Sequence, residues 1–276
     1  MAAGTLYLVG TPIGNLGDMS DRAKEVLAAV DVVAAEDTRR TGRLLAHFGI
    51  QGRLVSFFEG NERERSQELL GRLRAGEDVA VVSDAGMPGL SDPGFRLVRS
   101  AVEADIDIRV VPGPSAALAA VVVSGLPTDR FVFEGFLPRR PAERRTRLGE
   151  LAAEQRTLVL FESPRRLART LADLREILGD RQLAVARELT KIHEEVIRGR
   201  ASEVLERLGE DIKGEIVLVI EGAEEGLAVA DLGQMVAEAE ELIQWGMRAR
   251  PAAGEVARRR GASANDLYRA IIERRK

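Results

Sequence analysis

The sequence contains no cysteine. Disulfides, thiolate metal sites and a cysteine nucleophile are thereby excluded. Only two histidines occur, His47 and His193, so no multi-histidine metal centre is expected and no metal is assigned. Aromatic residues make up 4% of the chain, which leaves the core to aliphatic side chains. No apolar run approaches the roughly 20 residues of a membrane span. Met1 leads directly into the strand-like Thr5–Val9 with no basic leader, so a cytoplasmic location without a signal peptide is expected. Neither G-x-G-x-x-G nor G-K-[ST] occurs, which argues against a nicotinamide fingerprint and a Walker loop.

What is present is an ordinary globular composition over 276 residues, 45% hydrophobic and 30% charged. Such a chain can bury a sizeable core without cross-links. The net charge of −4 hides an uneven distribution. Between Glu221 and Gly246 there are seven acids and no base, whereas Met247–Lys276 holds nine bases and three acids. Arg139–Arg147 adds five arginines against one acid. Basic islands in an acidic chain suggest a polyanion met at defined places. The plainer reading is that 36 arginines beside four lysines will decorate any exposed helix.

Short apolar runs alternate with helical patterns through the first half. Thr5–Gly10, Val32–Ala35, Leu54–Phe57, Val79–Val82 and Ile106–Val111 read as strands, with helices between them and after the last. Strands apolar on both faces at βα spacing predict a mostly parallel sheet covered by helices. After Gly125-Leu126-Pro127-Thr128 the pattern changes to an α/β arrangement with antiparallel pairs. The expected domains are 1–124 and 125–222, both α/β, then 223–246 as acidic linker and helix. The last, 247–276, reads as a basic helix-turn-helix-like domain, with a plain helical hairpin as the alternative.

Several segments carry candidate chemistry. Gly10–Asp18 is a Gly-rich turn after the first strand, where backbone can approach a ligand. Glu36-Asp37 follow the second strand; they either meet a ligand or, for Asp37, cap the next helix. Ser83–Gly94 crowds three glycines, two prolines and two aspartates after a buried strand, and open α/β sheets bind ligands at the carboxyl ends of their strands. Pro112-Gly113-Pro114-Ser115-Ala116 forms a second tight turn, in which Ser115 either donates to a ligand or caps a helix. Glu162-Ser163-Pro164 and Arg187-Glu188-Leu189-Thr190-Lys191 sit at strand ends in the second half.

Taken together and in this order, Val9–Asp18, Glu36–Arg39, Ser83–Pro88, Pro112–Ala116, Glu162–Pro164 and Arg187–Lys191 resemble the ribose 2′-O-methyltransferase branch of the tetrapyrrole methylase superfamily. The resemblance spans about residues 4–222. Asn265-Asp266-Leu267-Tyr268 is also similar to that branch's small C-terminal helical domain. The resemblance implies two α/β domains with S-adenosylmethionine in the cleft between them, and a homodimer. It implies methylation of a cytidine 2′-hydroxyl in the decoding region of small-subunit ribosomal RNA, naked or in the assembled small subunit. It also implies cofactor contacts at Ile13, Asp84, Ala85, Gly86, Leu90, Ser115, Ala116, Glu162, Ala186 and Ile216. Metabolic relatives carry Gly-Asp-Pro where Ala85-Gly86-Met87 stands here. Chemistry and strand-end position make Glu36, Asp37, Glu188 and Lys191 the candidate catalytic groups. Arg39, Arg40, Arg139, Arg140, Arg144 and Arg145 are the candidate RNA contacts. The competing readings are a metabolic tetrapyrrole methylase and a ribosome-assembly RNA-binding protein without turnover.

Overall fold

The structure is a computed structural model that describes residues 2–209, 212–223, 227–260 and 264–274. The chain divides into two compact units, Met1–Ala119 with Glu188–Glu194, and Ala120–Arg187 with Glu195–Lys276.

The first unit is a parallel sheet of β1 (Leu6–Val9), β2 (Val32–Ala35), β3 (Leu54–Ser56), β4 (Val79–Val82) and β5 (Ile108–Val111), in the order β3-β2-β4-β1-β5. Helices α1 (Asp21–Ala29), α2 (Thr38–His47), α3 (Glu62–Arg74) and α4 (Phe95–Glu103) connect the strands, and α5 (Ala116–Ser124) follows β5. Every residue of β2 and β4 is buried. Successive side chains point to opposite faces, so each strand feeds two cores. Leu6, Val32, Ala34, Val79 and Val81 pack with Phe57, Leu69, Leu73 and Leu97 on one face. Val9, Val33, Ala35, Ala80 and Val82 pack with Ala23, Leu27 and Leu45 on the other. Helix starts are fixed by short polar side chains: Ser20 accepts from Ala23 N–H, and Asp37 from Arg39 N–H. The first turn of α4 is capped from α3 instead, because Glu62 accepts from the backbone of Gly94 and Arg96.

The second unit holds β6 (Phe131–Phe136), β7 (Thr157–Glu162), β8 (Gln182–Arg187), β9 (Glu195–Arg200) and β10 (Ile216–Ile220), in the order β6-β7-β10-β8-β9. Only β6 and β7 run parallel; the other pairings are antiparallel. Helices α6 (Pro141–Leu151), α7 (Pro164–Leu178) and α8 (Ala201–Arg207) supply the apolar side chains that cover one face. Leu148, Leu158, Leu160, Leu167, Leu171, Leu174 and Leu218 form the heart of that core, which is aliphatic as the composition requires.

Beyond β10, α9 (Leu227–Gln244), α10 (Ala249–Arg260) and α11 (Ala264–Arg274) build a separate small core around Val236, Ala253, Val256, Leu267 and Ile271. The helix expected from Asp231 therefore begins four residues earlier, at Leu227. The Gly261-Ala262-Ser263 turn, Glu224 and Glu225 lie outside the described residues, as do the side chains of Asp231, Asn265 and Asp266. The charge imbalance of the tail is partly settled internally: Arg260 pairs with Glu238, Arg274 approaches Glu240 at 4.0 Å, and Arg258 and Arg259 both pair with Glu255. Among the described residues, no helix is long and apolar enough to cross a membrane, and no group of three or more metal-ligating side chains is assembled.

Candidate active site

Three turns of the first unit meet at the carboxyl ends of β1, β4 and β5. Thr11, just past β1, donates from its backbone to the Gly86 carbonyl at 3.0 Å and from its hydroxyl to the Ser83 carbonyl at 3.1 Å. Gly10 donates to Val111 at 2.9 Å. A methyl group on Gly113 would lie 2.8 Å from the Gly10 Cα, closer than real side chains approach. Glycine at both positions is what lets these two backbones touch. Ile13 is buried, with its Cγ2 only 3.2 Å from the position a Gly86 Cβ would take; the Pro114 carbonyl is 3.0 Å from that position. The structure thus brings Ile13, the Asp84-Ala85-Gly86 stretch and the residue preceding Ser115 to one place. Ser115 itself caps α5, its hydroxyl accepting from Leu118 N–H at 3.4 Å and its carbonyl from Ala119 N–H; Ala116 opens the helix. Leu90 stands exposed later in the same loop as Asp84.

Carboxylates line the neighbouring strand ends. Asp84 accepts from the Asp37 backbone at 3.1 Å and pairs with Arg40 at 3.2 Å. Glu36 accepts from the Asp84 backbone at 3.2 Å. Burial raises the Glu36 pKa, and the nearby Asp84 charge adds to the rise against the pull of that same backbone hydrogen bond. Asp92 is pushed up to about 6, mainly by burial and then by the charge of Glu36. Asp37 behaves differently: its hydrogen bonds from Arg39 hold it down at about 2. Asp37 is thus the helix cap that its position allowed, and a poor proton acceptor. The only signal for Asp92 in the sequence is its place in the Ser83–Gly94 loop.

The Glu188–Glu194 loop, although it joins β8 to β9, belongs to the first unit. Lys191 Nζ lies 2.8 Å from Glu188 Oε1. A methyl at Gly14 would meet Lys191 Cγ at 2.5 Å and Thr190 Oγ1 at 3.1 Å, so this loop lies directly on the first Gly-rich turn. Glu188 and Thr190 both hold positive φ, 50° and 68°. For a β-branched residue such as Thr190 that conformation is strained. Its hydroxyl oxygen is also buried without a hydrogen-bond partner among the described residues. Neither the strain nor the burial of Thr190 shows in residue type.

The candidate positions of the second unit cluster through sheet register. Ile216 faces Glu162 on one side and Arg187 on the other, and Ala186 faces the adjacent Val217. All three are buried. The Glu162 carboxylate is already committed: it accepts from Ser163 N–H at 2.7 Å and Thr170 Oγ1 at 2.6 Å, and pairs with Arg166 at 3.2 Å.

The arginines separate clearly. Arg144, read from the sequence as an RNA contact, is a correction: its side chain is only 7% exposed and pairs with Asp173 at 2.6 Å. It anchors α6 to α7 and presents no charge to solvent. Arg145 is spent on Asp173 and Glu176. Arg39, Arg40, Arg139 and Arg140 are exposed, and Arg139 has no ion pair among the described residues.

Comparison with known proteins decides the family. The family model for tetrapyrrole (corrin/porphyrin) methylases matches residues 5–205. The ribosomal RNA small subunit methyltransferase I of Mycobacterium tuberculosis is 46% identical and covers 100% of this chain and 97% of its own length. The chain belongs to the ribosomal RNA small subunit methyltransferase I family. A second member, from Synechocystis sp., is 53% identical over 80% of each chain. Among solved structures, the uroporphyrin-III C-methyltransferase of Thermus thermophilus complexed with S-adenyl homocysteine shares the fold with a TM-score of 0.54 and 24% identity, over 78% of this chain and 97% of that one. The methylase match ends within α8, so α9–α11 lie beyond it, whereas the similarity to the M. tuberculosis family member runs through them.

Proposed function

We propose that this chain transfers a methyl group from S-adenosylmethionine to the 2′-hydroxyl of a cytidine in the decoding region of small-subunit ribosomal RNA. The observation that carries the reading is family similarity over the whole chain together with the meeting of three strand-end turns in the first unit. The residues present fit such a cofactor. Half-buried carboxylates complement a donor that bears a sulfonium and an ammonium, and the buried, unpartnered Thr190 hydroxyl oxygen lies beside the first turn. Ile13, Asp84, Ala85, Gly86, Leu90, Ser115 and Ala116 would hold it from the first unit.

When bound, the cofactor supplies a methyl group already activated for displacement. The chain must then orient the ribose oxygen and manage its proton. Orientation contributes most, and a general base or a cation beside the forming alkoxide adds about 10²–10⁴-fold. Glu36, with its raised pKa, suits proton acceptance near neutral pH better than Asp37 does. Lys191, steadied by Glu188, suits charge stabilisation. Exposed Arg39, Arg40, Arg139 and Arg140 would meet RNA phosphates.

The protein is read as a cytoplasmic homodimer. α5 carries no charged residue, yet Leu118 and Val122, one turn apart, are 53% and 76% exposed. An uncharged aliphatic face suits a like face on a second copy and not a polyanion. The test of function is incubation with labelled S-adenosylmethionine and small ribosomal subunits, then mapping of the modified nucleotide. Label in one alkali-resistant cytidine ribose is expected. No label, or label on a base, would refute the reading, and naked RNA run in parallel identifies the true substrate form.

A further inference from the structure

The sole tryptophan of the chain, Trp245, is 84% exposed at the turn between α9 and α10. An indole on the outside of a small helical core gives up a large apolar burial, so its position asks for an explanation. It is not there through looseness. Met247 N–H donates to the Leu242 carbonyl and Gly246 N–H to that of Ile243, both at 3.0 Å, with Gly246 at φ 96°. This is a Schellman cap, which only a residue tolerant of positive φ completes, and it holds Trp245 outward while Leu242 and Ile243 pack inward. Arg248 then starts α10, its carbonyl accepting from Ala252 N–H.

The charge around the turn is distinctive. From Gln244 to Gly254 the sequence contains no acid. Arg248 is exposed and has no hydrogen bond or ion pair from its side chain among the described residues. Arg250 lies over the Tyr268 ring at 5.8 Å and has no carboxylate partner among the described residues. Farther along, Arg258, Arg259 and Arg260 are all neutralised by glutamates. Among the described residues, Arg248 and Arg250 thus place positive charge beside the exposed aromatic ring.

We propose that the α9–α10 turn is a docking point for an unpaired RNA nucleotide, with a base stacked on the Trp245 indole and flanking phosphates met by Arg248 and Arg250. Base–aromatic stacking beside guanidinium groups is how single-stranded nucleic acid is held without sequence readout. The inference rests on the ribosomal RNA reading given above.

The lone tryptophan provides the assay. Titrating the full chain with a short unstructured oligouridylate should quench its fluorescence, and a duplex of equal length should do so far less. Trp245→Ala should weaken oligouridylate binding about tenfold, and Trp245→Phe should retain most of the affinity. Arg248→Ala should reduce the slope of log affinity against log salt by about 0.7. Equal unfolding temperatures for wild type and variants establish that the helical core is intact. Absent quenching with unchanged affinity in Trp245→Ala would overturn the proposal. So would a change of oligomeric state without loss of RNA affinity, which would assign the indole to a second copy. Methylation of small subunits measured in parallel separates the two readings. If wild type transfers no methyl group, the ribosomal RNA reading fails; if Trp245→Ala methylates with unchanged KM, only the docking point fails.

Discussion

The two sheets end their strands in opposite ways. In the first unit, the ends of β1, β4 and β5 run into turns so small that backbone meets backbone at Gly10 and Gly113. The nearby carboxylates of Glu36 and Asp92 are half-buried and titrate above their ordinary range. In the second unit, the end of β7 is closed: Glu162 is buried and fully engaged by Ser163, Thr170 and Arg166. A polar group whose bonds are all made is a structural part; one held short of its full set is available to a ligand. On the proposed function, this contrast favours the first unit's strand ends as the place of the chemistry.

The largest expected effect comes from Lys191→Ala. Single-turnover methyl transfer should fall about 10²–10⁴-fold with little change in cofactor affinity. A wild-type rate would remove the Glu188–Lys191 loop from the account. Gly113→Val should come next, since its side chain has no space against Gly10. Cofactor affinity by calorimetry should be lost, and thermal unfolding should show about 3 kcal/mol of destabilisation. Unchanged affinity would mean that the junction only packs.

Arg144→Ala sharpens the comparison from the other side. Removing one partner of a buried pair costs about 3–5 kcal/mol, and Asp173 keeps Arg145, so about 2 kcal/mol is expected in denaturant unfolding. Its RNA affinity should match wild type. Arg139→Ala should do the reverse, with stability unchanged and a small loss of RNA affinity that flattens the salt dependence.

The smallest effect is the pH signature of Asp92. Its folded pKa of about 6 lies above the ordinary 3.8, so the folded state holds the proton that the unfolded state releases. Stability should therefore fall as pH rises from about 4 to 6, and stay lower above that. Because the group is partly exposed, the loss should be about 1 kcal/mol. Asp92→Asn should abolish this part of the pH dependence; an identical profile in the variant would show that the carboxyl is not perturbed.

Much of this was legible from residue pattern. Runs such as Val32–Ala35 and Val79–Val82 specify strands buried on both faces, and Ser20 marks its helix start because the cap chemistry is local. The Gly-rich turns showed where backbones come close, though not which glycines touch. Other features depend on tertiary partners. Nothing in the residue type separates buried Arg144 from exposed Arg139, five positions away. The raised pKa of Asp92 and the assignment of Glu188–Glu194 to the first unit both arise from chain that is distant in sequence.

The most direct test of the central claim is amide hydrogen exchange on the full chain with and without S-adenosylhomocysteine. The account predicts added protection in residues 84–90 and 113–116 of the first unit, with smaller changes near Glu162 and Ile216. Protection confined to the second unit, or none at the first unit's strand ends, would contradict it.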